Sequence, residues 1–196
     1  MTYEEWKESI DEKYGEGYFE TERKKVLNYS SDKKQYEKYK SVLGKENLPK
    51  TFDLFQDLKY NNIKEWELLK NYKMSIQIGE LSPLSNFELY KHINTEIDEK
   101  LIGVFTDNGI KITGKSSHFI ARTIGSVEQK RNGVNVDISL ETITKPGKIE
   151  PIRNNANGNS HKFISEKAAV SVNPDTGILI QVNPLHKKSW RENNDN

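Results

Sequence analysis

The chain has 196 residues, enough for one large domain or for a small domain with an appendage. Its 34% hydrophobic and 30% charged content leaves a modest core under long solvated faces, and the lack of cysteine excludes a disulfide framework and any thiolate-bound metal. The net charge of +1 conceals an asymmetry: residues 1–80 carry 15 basic and 16 acidic side chains, whereas residues 111–190 carry 12 and 6, so a polyanion such as RNA or DNA suits the C-terminal part.

No apolar run approaches the ~20 residues needed to cross a bilayer, and the start, MTYEEWKESIDEKYGEG, lacks the pattern of a secretory leader, so a soluble chain without an address is expected. In DKKQYEKYKSVLG, Tyr36, Tyr39, Val42 and Leu43 fall near helical spacing, with Gly44 as a stop. Thr51 is placed to cap a second helix along Leu54, Phe55, Leu58, Trp66 and Leu69, interrupted at Asn61-Asn62. Their narrow apolar stripes call for packing on one another or on a larger partner, and they hold no catalytic grouping.

LSPLSN, 81–86, is a connector, with Ser85 or Asn86 available to cap a helix through Leu89, Ile93 and Ile97. LIGVFT and IKIT flank Asp107-Asn108-Gly109 as a hairpin. SHFIARTIGSVEQKR, Ser117 to Arg131, is expected to be one helix with His118 and Arg122 a turn apart on one face. An imidazole exchanges protons near neutral pH and a guanidinium grips phosphate through two parallel hydrogen bonds, so this pair suits phosphate chemistry. Glu128 and Arg131 extend the inventory, as a second acid-base group beside a cation or as a surface ion pair.

NVDISLETITKPG predicts a short helix ended near Lys145 by Pro146, and KIEPIR, HKFISE, AAVSVN and ILIQVN read as strands. The expected class is therefore α+β: an N-terminal helical region over 1–80, then a small domain over 85–190 with helices packed on an antiparallel β-sheet. Lys145 and Lys148 bracket a turn that can present ammonium groups to phosphate. Arg153, Ser160 and His161 surround the polar loop NNANGNS, either a substrate edge or a hairpin connection. Ser171 with Asn173, and Gln181 with Asn183, each project from one strand face, which is either a cleft or an ordinary solvated surface. His92 and His186 read as surface residues, and Asn193 to Asn196 should fray.

HFIARTIGSVEQKRNGV, the TKPGKI step and AAVSVNPDTGILIQVNP together resemble the toxin domains of the barnase, EndoU, colicin and RelE ribonuclease superfamily over about residues 101–187, particularly versions in phage proteins. DKKQYEKYKSVLGKENLPKTFDLFQDLKYNNIKEWELLKNYK resembles the linker near the C-terminus of MuF-type phage minor head proteins, which often end in a variable toxin domain. The resemblance implies a metal-independent endoribonuclease toxin of a phage or polymorphic toxin system, without cofactor or metal. Its catalytic residues would be His118, Arg122, Glu128 and Arg131. Its substrate contacts would come from Lys145, Lys148, Arg153, Ser160, Ser171, Asn173, Gln181 and Asn183.

The implied partners are RNA, tRNA among the candidates, a cognate acidic immunity or antitoxin protein, and the phage head through upstream regions, with no membrane. Such a protein would be phage-associated or delivered and would act in the bacterial cytoplasm. The alternative is a non-catalytic nucleic-acid-binding or structural tail of a phage head protein. An ADP-ribosylating toxin lacks its paired glutamates here, and a metal-dependent nuclease lacks clustered carboxylates or closely spaced histidines.

Overall fold

The computed structural model describes residues 1–156 and 158–185. The expected fraying at 193–196, His186 and the end of the 85–190 domain lie outside the described residues. The fold is α+β, with a helical N-terminal part, and the chain divides into two compact units after Lys70. That boundary precedes the expected one because Tyr72 and Leu81, both fully buried, belong to the core of the second unit. Among the described residues no helix is long and apolar enough to cross a membrane.

The first unit opens with two helices, Tyr3–Tyr14 (α1) and Tyr18–Leu27 (α2). Thr2 and Glu5 form a reciprocal capping box at the start of α1, a T-x-x-E signal that marks the helix in the sequence. Tyr29–Leu43 (α3) follows, then Phe52–Asn61 (α4), where the Thr51 hydroxyl accepts from the Leu54 N–H at 3.2 Å. Ile63–Gln77 (α5) starts after the break at Asn61-Asn62 and runs on into the second unit. The expected stripe closes on itself: Tyr36, Tyr39, Phe52, Phe55 and Trp66 form one aromatic cluster, with Tyr39 stacked on Trp66 at 5.5 Å between centroids.

Beside that cluster Asp32 is completely buried on α3. Its carboxylate accepts from Lys59 Nζ at 2.6 Å, Tyr60 Oη at 2.8 Å and Gln56 Nε2 at 3.0 Å, all on α4. Burial works to raise the Asp32 pKa, but these three donors and the Lys59 charge outweigh it and hold the group below the usual carboxylate range. The Tyr60 hydroxyl is pushed up to about 12 by burial and by its bond to Asp32.

In the second unit, Phe87–Lys100 (α6) is capped by Asn86, whose side chain accepts from the Leu89 N–H at 2.7 Å. The expected hairpin over 101–113 shrinks to a loop with one bridge, Phe105 to Lys111, turning through Gly109 at φ 88°. Gly114–Lys115 (β1) then pairs parallel with Ile178–Pro184 (β8), so the sheet is mixed rather than purely antiparallel. Between them in sequence lie Ser117–Ile124 (α7), the short ladder of Gly125–Ser126 (β2) with Arg131–Asn132 (β3), and Val136–Thr144 (α8).

Lys148–Ile149 (β4), Arg153–Asn155 (β5), Gly158–Ile164 (β6) and Ala168–Val172 (β7) complete the sheet in the order β1-β8-β7-β6-β4, with β5 also paired to β6. Register and alternation sort its two faces. Phe163, Val170 and Val182 are direct neighbours, all buried, on the face that meets the core. Lys162, Ser171 and Gln181 form the adjacent row on the opposite face, and Asn183 shares it two residues along β8.

α7 is shorter than the expected 117–131 helix. Gly125, at φ 94° and ψ 179°, turns the chain out of the helix, and residues 126–131 become a loop closed by the β2–β3 ladder. The loop's other end is constrained differently. A Cβ on Gly133 would lie 2.2 Å from the Thr123 carbonyl oxygen and 2.5 Å from that of Ile124. Gly133→Ala is therefore expected to destabilise this segment by about 1–3 kcal/mol. Amide exchange at Val134, whose N–H bonds to the Thr123 carbonyl at 3.1 Å, should quicken accordingly; unchanged exchange would show that the backbone yields without cost.

Candidate functional site

Ser116 sets the position of α7. Its N–H bonds to the Leu179 carbonyl at 2.9 Å and its hydroxyl donates to the Ile180 carbonyl at 2.6 Å, while that same hydroxyl accepts from the Phe119 N–H as helix cap. The helix thus starts on β8 and runs beside it. A step of four residues on a helix advances about 6 Å, close to two residues on a strand, so side chains at those intervals come into step. His118 meets Gln181, with Nε2 3.3 Å from Oε1, and Arg122 Nη1 donates to Asn183 Oδ1 at 2.9 Å.

The other ring nitrogen of His118, Nδ1, makes a short hydrogen bond to the carboxylate of Glu80. Both side chains are partly exposed, 29% for His118 and 19% for Glu80, so the pair faces an opening and is not sealed in the core. Doubly protonated, the ring donates to Glu80 and Gln181 together. With one proton, Nδ1–H stays on the carboxylate, the bond to Gln181 Oε1 is given up, and the Nε2 lone pair is left for an incoming hydroxyl.

Arg131 joins the group from β3. Its Nη2 donates to the Glu80 carbonyl at 2.7 Å, its Nη1 to the Arg122 carbonyl at 3.4 Å and its Nε to Gln129 Oε1 at 3.3 Å. Burial, then the neighbouring Arg122 charge, lowers its pKa to about 10, against the opposing pull of Glu80. The Arg122 and Arg131 charges thus oppose one another, and the Glu80 charge offsets them in part. Arg122 Nε is buried and finds no acceptor among the described residues. This arrangement leaves positive charge under-compensated, which suits an anion.

Burial holds the Tyr90 phenol well above the ordinary range, and the Glu80 charge adds to the rise.

The remaining sequence candidates separate. Glu128 bonds neither Arg131 nor His118 among the described residues. Its carboxylate accepts from Ser82 Oγ at 2.7 Å and Ser126 Oγ at 3.4 Å, and these bonds, with one from its own backbone N–H, keep its pKa low against desolvation. It fastens the 126–131 loop to the 81–86 connector. Ser171 lies buried directly across from Gln181 and belongs to the same face.

Asn173 sits beyond β7, where its side-chain oxygen accepts from the Asp175 and Thr176 N–H groups and shapes the turn. Lys148, Arg153 and Ser160 lie on β4, β5 and β6 toward the opposite side of the sheet; at a usual strand spacing β4 is about 14 Å from β8. Arg153 pairs with Glu150 at 3.0 Å, and Lys145 borders a shallow depression shared with Glu141, Glu166 and Lys167. None of these four joins the His118 cluster. His161 contacts Asn108, with 3.2 Å between the two nitrogens, and His92 is exposed on α6.

One member of the site escapes a reading of the sequence: Glu80 stands 38 residues before His118 in a connector. Among the described residues no group of three or more histidine or acidic side chains gathers as for a metal ion. Comparison with family models, with curated proteins and with solved structures finds no match to this chain.

Proposed function

We propose that the second unit is a metal-independent endoribonuclease of the toxin type, cutting RNA by attack of a ribose 2′-hydroxyl on the adjacent phosphate. The observation that carries this reading is the Glu80–His118 pair, its imidazole on the same helix as Arg122 along the seam of α7 with β8, with Arg131 bonded to the Glu80 carbonyl. Glu80 keeps the imidazole in one tautomer and steadies its protonated form; His118 Nε2 takes the 2′-hydroxyl proton. The same imidazolium can return that proton to the departing 5′-oxygen. The under-compensated guanidinium charge stabilises the pentacoordinate phosphorane formed in between, and Gln181 and Asn183 hold His118 and Arg122 at their stations.

DNA lacks the nucleophile and is expected to survive. Incubation of the protein with RNA and with DNA in EDTA tests the proposal: fragments ending in a cyclic phosphate should appear from RNA alone. Intact RNA, together with equal and salt-sensitive binding of RNA and DNA, would overturn it in favour of a nucleic-acid-gripping tail. Within this reading the toxin would act in a bacterial cytoplasm after phage-linked delivery. An acidic immunity protein would oppose it by covering the positive face.

A further inference from the structure

Next to the His118 cluster, the loop after β2 and the 81–86 connector enclose an open cleft of about 310 Å³. Its walls include Leu84, Leu89, Ile124 and Val127, and three of these are conspicuously exposed for large apolar side chains, at 84%, 39% and 62% for Leu84, Leu89 and Val127. Its polar lining comes from Ser82, Ser85, Ser126, Arg131 and Asn132. Apolar walls with a few polar groups suit a flat heterocycle whose faces are greasy and whose rim is not.

The cleft adjoins the candidate active site: the Arg131 that borders it also bonds the Glu80 carbonyl, and Glu80 bonds His118. A ligand held there is a neighbour of the group bound at Arg122 and His118. Resting on the ribonuclease reading, that neighbour is a base of the same RNA strand.

The polar groups narrow the choice of base. A guanine is usually read by an arginine fork on its O6 and N7, but the Arg131 fork is already directed at the carbonyls of Glu80 and Arg122. Asn132 is exposed, and its side-chain amide makes no hydrogen bond among the described residues. One carboxamide offers a donor and an acceptor side by side, the complement of adenine N7 and N6. We infer that this cleft is a base-recognition subsite that prefers adenine in the nucleotide next to the scissile phosphate, read by Asn132 between the apolar walls.

Uncleavable RNA analogues separate recognition from chemistry. Four 2′-O-methyl pentanucleotides, uridine throughout except for A, G, C or U at the centre, are to be titrated against the full chain. The adenine analogue should bind about tenfold more tightly than the other three. Asn132→Ala should erase that preference, bringing the adenine analogue to the affinity of the other three, while Asn132→Asp, an acceptor alone, should shift preference toward cytosine. Equal affinity for the four analogues, or an adenine preference that persists in Asn132→Ala, overturns the inference. Retained adenine preference in a protein that leaves RNA intact would sink the enzyme and keep the subsite; cleavage without base preference would do the reverse.

Discussion

His118→Ala is expected to slow RNA cleavage by at least about 100-fold, the ordinary contribution of a positioned proton-transfer group. Glu80→Gln should fall within the same range, because an amide at that position neither stabilises an imidazolium nor enforces the tautomer with Nδ1 protonated. The two losses should not multiply. They act through one ring, so the double variant should resemble the more damaged single variant. Initial rates on a defined RNA, with circular dichroism to confirm that each variant is folded, provide the measurement. A His118→Ala protein that cuts at the wild-type rate removes the imidazole from the chemistry, and fully additive losses would show that Glu80 acts elsewhere.

The second large effect is expected in the helical unit. Asp32→Ala strands Lys59 and leaves Gln56 and Tyr60 without their shared acceptor in a water-poor setting, which should cost about 3 kcal/mol. Urea titration followed by hydrogen exchange across residues 29–61 would report it. The pH dependence has a definite sign. The folded pKa of Asp32 is depressed, so its stabilising contribution is complete above the unfolded carboxylate value of about 4 and disappears as pH falls through the folded value. Wild type should therefore lose an extra increment of stability on acidification that the Asp32→Ala protein lacks. Parallel acid limbs for the two proteins would refute this account of the network.

Local signals carried much of this architecture. Thr51 and Asn86 cap helices as their side chains allow, Gly44 ends α3, and the four strand segments after residue 147 appear near their expected places. The pairing of His118 with Gln181 and of Arg122 with Asn183 follows from two periodicities visible in the chain, but which strand α7 would accompany was not. That choice is made by β1, a two-residue parallel strand too short to leave a pattern. The helix expected through Arg131 stops at Gly125, whose backbone adopts a conformation closed to a helix. Glu80 stayed hidden for a different reason: nothing local distinguishes one carboxylate in a connector from the other 28 acidic residues of the chain.

β8 follows every other described strand in sequence, yet it is seated between β1 and β7 and carries both amides that steady His118 and Arg122. A ribosome must therefore extrude the chain beyond Asn183 before the imidazole and guanidinium acquire their supports. On the proposed ribonuclease reading, translation order itself would keep a nascent copy harmless to the RNA-rich machine that is making it.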